Sequence, residues 1–339
     1  MLKKVLQYGV LPADGVIYNL SKDLMLSGIE PNEVVSLIRS RLKNHRAGAP
    51  DRKLGLVVEG GAMRGIYSAG SLLGLHHVGA TKVFDAAYGT SAGAINAAQF
   101  LTGEGPQRIP TYYRVLTDSR FYNPRRIHNI LDIDYFVNQI LRGSMPIELD
   151  KLWATETPLK IGVLNYDRGI AEVFELPRNE DEAWSLIHAN VALPVLYNRR
   201  ISFRGENYSD GGMAVPFPLQ AAIDDGMTDL LVLLTHDPAS PPAPRHRAAR
   251  ALYKTVFAKG RSDLMEIFDR WPETMWSLQR QILGQDPFPR PVRVAIIAPR
   301  RELVARTVMD SEILREHCAE MAEQLLAVFG ITERIVLPV

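Results

Sequence analysis

The sequence predicts a three-layer α/β fold, a mostly parallel central sheet covered by helices. Three observations lead there. Residues 54–59, 229–235 and 293–298 are short, nearly continuous apolar runs of the kind that become strands buried on both faces. Helix-like amphipathic segments separate such runs, giving a β-α-β-α order. Glycine-rich turns stand where the first two strands pass into helices, at 60–65 and 89–93.

Residues 1–50 read as an N-terminal helical extension. Pro31, Asn32 and Glu33 open a short helix with Val34, Val35, Ile38 and Leu42 on one face. Arg39, Arg41, Lys43 and Arg46 crowd its last turns, where the helix dipole is negative. Met1 to Gly15 lacks the continuous apolar core of a signal peptide, and 47–50 reads as a linker. No apolar run approaches the roughly 18 residues of a membrane span. The expectation is a cytoplasmic protein, with peripheral contact at a bilayer surface left open.

The main core is assigned to 51–240, a helical insertion or cap to 241–290, and a strand and helix completing the core to 291–339. The strand at 54–59 breaks at Gly60-Gly61-Ala62-Met63-Arg64-Gly65, and a helix with Ile66, Ala69, Gly70 and Leu73 on one side runs on toward Gly79. Such a loop offers free backbone N–H groups beside the positive end of a helix dipole, a place for negative charge. Arg64-Gly65-Ile66 lacks the Gly-Lys-Ser/Thr ending of a phosphate-binding loop, and Ala62 stands where a dinucleotide loop needs its second glycine. No cofactor is expected.

A strand at 82–88 then leads into Gly89-Thr90-Ser91-Ala92-Gly93 and a helix to Leu101. This Gly-x-Ser-x-Gly in a strand–turn–helix context has the layout of a nucleophile elbow, in which the serine is lifted off the strand end. Hairpins are predicted at 159–176 around Asp167-Arg168-Gly169 and at 200–209 around Arg204-Gly205. A helix-like run at 180–190 lies between them. The second hairpin ends in Asp210-Gly211-Gly212, where a carboxylate is held at a sheet edge. Beyond the strand at 229–235 come His236, a proline-rich stretch, and a basic amphipathic segment at 245–261, read as a solvated helix face or an anionic-membrane contact.

Lysine plus arginine (39) balances aspartate plus glutamate (38), so charge gives no sign of a nucleic-acid partner. The single cysteine, Cys318, precludes an intrachain disulfide and reads as a packing residue; no Cys/His cluster has zinc-like spacing. The sequence assigns no oligomeric state.

Taken together, Gly60–Gly65, Gly89–Gly93 and Asp210-Gly211-Gly212 resemble, in order and spacing, the three motifs of the patatin-like phospholipase family. Residues 189–194 are similar to a further block of that family that often carries Ser where this chain has Asn190. The resemblance implies a lipid acyl hydrolase with a Ser–Asp dyad. Ser91 would be the nucleophile and Asp210 its base, with Gly60, Gly61, Ala62, Met63, Arg64 and Gly65 forming the oxyanion and substrate loop. A lipid or other ester is the implied substrate, and no metal is implied. An acyltransferase using the same acyl-enzyme is one alternative. A Ser91–Asp210–His236 triad of the α/β-hydrolase type is another, and a binding protein whose activity has lapsed is a third. The aromatic residues Tyr112, Tyr113, Phe121, Tyr122, Tyr135 and Phe136 read mainly as packing, or else as part of an acyl-chain pocket or headgroup surface.

Overall fold

The computed structural model describes residues 16–19, 32–44, 51–126, 129–299 and 304–337, the first of these segments as backbone only. The readings of 1–15 and of the 47–50 linker lie outside the described residues. In chain order the strands are β1 (Val16–Asn19), β2 (Leu54–Val58), β3 (Ala86–Thr90), β4 (Leu159–Asn165), β5 (Ile170–Glu175), β6 (Ile201–Phe203), β7 (Glu206–Asp210), β8 (Asp229–Leu233) and β9 (Arg293–Ala298). The principal helices are α1 (Glu33–Asn44), α2 (Gly65–His77), α3 (Ala92–Leu101), α4 (Glu180–Val191), α5 (Leu219–Asp224), α6 (Arg247–Val256), α7 (Ser262–Ile282) and α8 (Ser311–Val328).

The nine strands among the described residues form one sheet, whose centre β9-β8-β2-β3-β4 is parallel throughout. β1 adds antiparallel to β9, an edge strand that the sequence reading missed. The central strands look uniformly apolar because both their faces are covered. Leu54, Leu56 and Val58 of β2 point into one core with Ile66 of α2 and Leu314 and Met321 of α8. Val57 points the other way, into a core with Tyr88, Ile223, Trp271 and Met275. Residues two apart in a strand share a face, and β8 and β9 divide in the same manner.

The central strands, hairpins and long helices stand close to their predicted positions. β3 is shifted: it begins at Ala86 rather than 82, because Ala80–Lys82 forms a helical turn after Gly79, whose φ is +79°. Asp85 just ahead of it is spent on the start of β2, its carboxylate accepting from Leu54 N–H at 2.6 Å and from Arg41 at 2.7 Å.

The feature that positions the site lies along β4. β5 occupies one edge of this strand over Lys160–Asn165. The other edge is shared end to end: β3 pairs parallel with 159–162, and β7 pairs antiparallel with 163–165. Running in opposite senses, β3 and β7 therefore meet at their C-terminal ends. Thr90 stands opposite Gly162 and Asp210 opposite Val163. The turn after Asp210 presses on β4 as well. A Cβ at Gly211 would lie 2.6 Å from the Gly162 carbonyl oxygen and 2.8 Å from Val163 N, contacts that only glycine avoids.

Candidate active site

Ser91 follows Thr90 directly and begins α3 with φ +56° and ψ −132°. A serine rarely adopts that region, so the turn stores strain that its surroundings must hold. The fully buried Asn190, near the end of α4, holds it from both sides. Its Oδ1 accepts from Ser91 N–H at 2.6 Å, and its Nδ2 donates to the Ser91 carbonyl at 3.0 Å. Asn190, which stands where the resembled family block often carries Ser, thus fixes the backbone of the serine. On the other side of the serine, a Cβ at Gly60 would stand 2.8 Å from Ser91 Cβ, so the loop backbone reaches the elbow only as glycine.

Asp210 is 1% exposed. Its N–H donates to the Ala192 carbonyl at 3.0 Å, and its Oδ1 accepts from Gly212 N–H at 2.7 Å. Oδ2 has no hydrogen bond of regular geometry, though the Ser91 hydroxyl lies close enough to favour the anion. Burial raises this carboxyl from its ordinary value to about 6, while Ser91, Gly212 N–H and the more distant Arg306 pull the other way. An aspartate near 6 is a far better proton acceptor at neutral pH than one near 4. The structure thus brings Ser91 and Asp210 together from strands joined only through β4.

The glycine loop contributes fewer free donors than its six residues imply. Arg64 N–H closes a turn on the Gly61 carbonyl at 3.1 Å, and Met63 N–H is engaged by the Arg306 carbonyl at 3.3 Å. The expectation that Met63 and Arg64 also offer backbone donors is corrected accordingly. Gly61 and Ala62 N–H have no acceptor among the described residues. Ala62 adopts φ +53°, so its side chain does not prevent the left-handed turn.

A cavity of about 170 Å³ opens at Ser91. For scale, an apolar cavity of about 150 Å³ accommodates a benzene molecule. Its walls are mainly apolar, with Ile95, Leu116, Phe121, Leu131, Phe136 and Leu196 prominent, and Arg306, Thr307 and Met309 also line it. Of the aromatic residues between 102 and 150, Tyr112, Phe121, Tyr122 and Phe136 line this cavity, whereas Tyr113 packs in the core.

His236 is held elsewhere. Its Nδ1 lies 2.8 Å from Glu59 Oε2, which also accepts from Thr235 N–H at 2.6 Å and from the Thr235 hydroxyl at 2.9 Å. The Asp210–His236 link that a triad needs is absent among the described hydrogen bonds. His236→Ala is expected to lower kcat/KM on a p-nitrophenyl ester by less than about tenfold; a loss of about a thousandfold or more would reinstate the triad.

No group of three or more metal-ligating side chains occurs among the described residues, and none of the described helices is long and apolar enough to cross a membrane. Cys318 is fully buried in α8 against α2, where the Gly70 backbone approaches it.

The motifs, their order on the sheet and the paired serine and aspartate define a class that sequence comparison names independently. Residues 56–223 match the family model described as patatin-like phospholipase, and the chain belongs to that family. Among curated proteins, it is 30% identical over 190 residues to the uncharacterized protein YjjU of Escherichia coli (strain K12), an alignment covering 54% of this chain and 52% of YjjU. The chain thus spans about half the length of that curated relative. Among solved structures, VipD from Legionella pneumophila aligns with 82% of this chain and 67% of its own, at 13% identity and a TM-score of 0.37.

Proposed function

We propose that this protein hydrolyses carboxylic esters of lipids through an acyl-enzyme on Ser91, with Asp210 as the base. The observation that carries the reading is the meeting of the β3 and β7 ends on consecutive residues of β4, at the opening of an apolar cavity. Ser91 Oγ attacks the ester carbonyl as its proton passes to Asp210. The carbonyl oxygen becomes an oxyanion facing the free N–H groups of Gly61 and Ala62, and each such donor contributes about 2.7–4 kcal/mol in comparable sites. The tetrahedral species collapses, the C–O bond to the alcohol breaks, and the Asp210 proton leaves with the alcohol oxygen. Water then attacks the acyl-serine with Asp210 again accepting the proton, which returns to Ser91 Oγ as the carboxylic acid departs.

The raised pKa of Asp210 is the local requirement of this scheme. Holding this carboxyl near 6 rather than about 3.9 corresponds to ~3 kcal/mol, which burial supplies without a histidine. An apolar cavity beside the nucleophile favours an acyl chain, since each buried CH₂ contributes about 0.8 kcal/mol.

A fluorophosphonate probe tests the reading directly. Folded wild-type protein is expected to be labelled at Ser91, mapped by peptide mass spectrometry, and Ser91→Ala to be unlabelled and inactive on p-nitrophenyl and lipid esters. Absence of labelling in folded wild type would leave the binding-protein alternative standing.

A further inference from the structure

Among the described residues, two arginines near this site have no anionic partner. Arg245, partly buried just ahead of α6, stacks on Trp271 at 4.3 Å and on Phe268 at 4.6 Å from guanidinium carbon to ring centroid. Its one hydrogen bond among the described residues is a weak one to Met213 Sδ at 3.3 Å, and its Nε is buried without a partner. Arg306 lines the Ser91 cavity, with its guanidinium 5.9 Å from the centre of the same Trp271 ring. Neither forms an ion pair among the described residues, whereas arginines on the adjoining helices do: Arg250 with Asp269, Arg261 with Asp263, and Arg280 with Asp286.

Trp271 ties both guanidiniums to the reacting groups. Its indole N–H donates to the Gly212 carbonyl at 2.8 Å, within the turn that holds Asp210. Arg306 is close enough to Asp210, Arg64 and Arg245 to act on the charge of each. Burial, with Arg306 nearby, lowers Arg245 to about 10. Arg64 adds a third positive group, though its Nε is spent on the Val304 carbonyl at 2.8 Å.

Two guanidiniums without an ion pair among the described residues, Arg245 half-buried and Arg306 exposed beside the cavity, thus lie around one aromatic ring. Their planar N–H forks match the oxygens of a phosphoryl group, and a bound anion would relieve the repulsion between them. We propose that Arg245 and Arg306 form the seat of a phosphoryl group carried by the ester substrate, whose acyl chain fills the cavity at Ser91. The inference rests on the ester-hydrolase reading for its orientation but not for the existence of the anion site. The two arginines then act as specificity determinants, selecting a charged phosphate ester over a neutral ester of equal chain length.

The test compares a lysophosphatidic acid and a monoacylglycerol of the same acyl chain with wild type, Arg306→Gln and Arg245→Met. The expected result is a fall of at least about tenfold in the ratio of the two kcat/KM values in both variants. An unchanged ratio in folded variants overturns the proposal, and Arg306→Gln carries the test should Arg245→Met fail to fold.

Binding is read separately by tryptophan fluorescence at fixed ionic strength, titrating inorganic phosphate in one arm and the lysophosphatidic acid in the other, on Ser91→Ala to prevent turnover. A saturable change with the lipid that Arg306→Gln weakens at least tenfold supports the seat, even if wild type turns over neither ester and the hydrolase reading fails. Saturable binding of inorganic phosphate alone would mark a free-anion site and overturn the substrate assignment. No saturable change in either arm overturns the seat altogether.

Discussion

Asp210→Asn is expected to be folded, nearly inactive and, at pH 8, more stable than the wild type. Loss of a positioned general base removes about 10²–10⁴-fold of rate, so kcat/KM should fall by about a thousandfold. In the proposed mechanism only the carboxylate accepts the serine proton, so wild-type kcat/KM should rise with pH along a limb centred near pH 6, where burial has put this group. The asparagine variant should show no such limb.

Stability should run the opposite way. A carboxyl whose folded pKa lies above its unfolded value of about 3.9 binds its proton more tightly in the native protein. That contribution is complete below about pH 4 and is lost as pH rises through about 6. By pH 8 the ionised, buried Asp210 costs about 3 kcal/mol, a cost the amide does not incur. Urea denaturation at pH 8 should therefore favour Asp210→Asn, and the advantage should shrink as pH falls toward 4. Activity retained within about tenfold, or a wild-type profile without a limb near 6, would remove Asp210 from the mechanism.

Asn190→Ala is the second large effect. It leaves the buried Ser91 N–H without an acceptor, while the Ser91 carbonyl keeps its bonds from Ala94 and Ile95 N–H at 3.0 and 3.4 Å. An orphaned buried donor costs about 1–3 kcal/mol, and the small cavity left behind adds to it. Thermal and urea unfolding should report a loss of about 2–4 kcal/mol. The strained φ of +56° at Ser91 would then relax and draw Oγ away from Asp210. A displacement of about 1 Å at a reacting atom costs about 10²-fold, so kcat should fall by that order while KM changes little. Unaltered kcat in a folded variant would mean that the elbow holds its own shape.

The two effects differ in how far the sequence foretold them. Ser91 and Asp210 announced themselves through the glycines around them, because tight turns restrict residue type locally. The parallel centre of the sheet was equally legible, since strands buried on both faces leave continuous apolar runs. Asn190 was marked only by its place in a family block, not by a role: a polar residue near the end of a helix reads alike whether it holds a distant backbone or meets solvent. The Arg245–Trp271–Arg306 grouping joins residues from three separate segments, and no spacing encodes it. β1 stayed hidden as a four-residue edge strand, with no alternation long enough to read. The shifted start of β3 turned on Asp85, whose engagement with Leu54 and Arg41 depends on tertiary contacts.

The shared edge of β4 has a mechanical corollary. Since adjacent residues of a single strand support both partners in the proposed proton transfer, any slow drift of that strand carries hydroxyl and carboxylate along as passengers of one rail. Residues walling the hollow beside Ser91 belong to other elements, so they can vary without moving that rail.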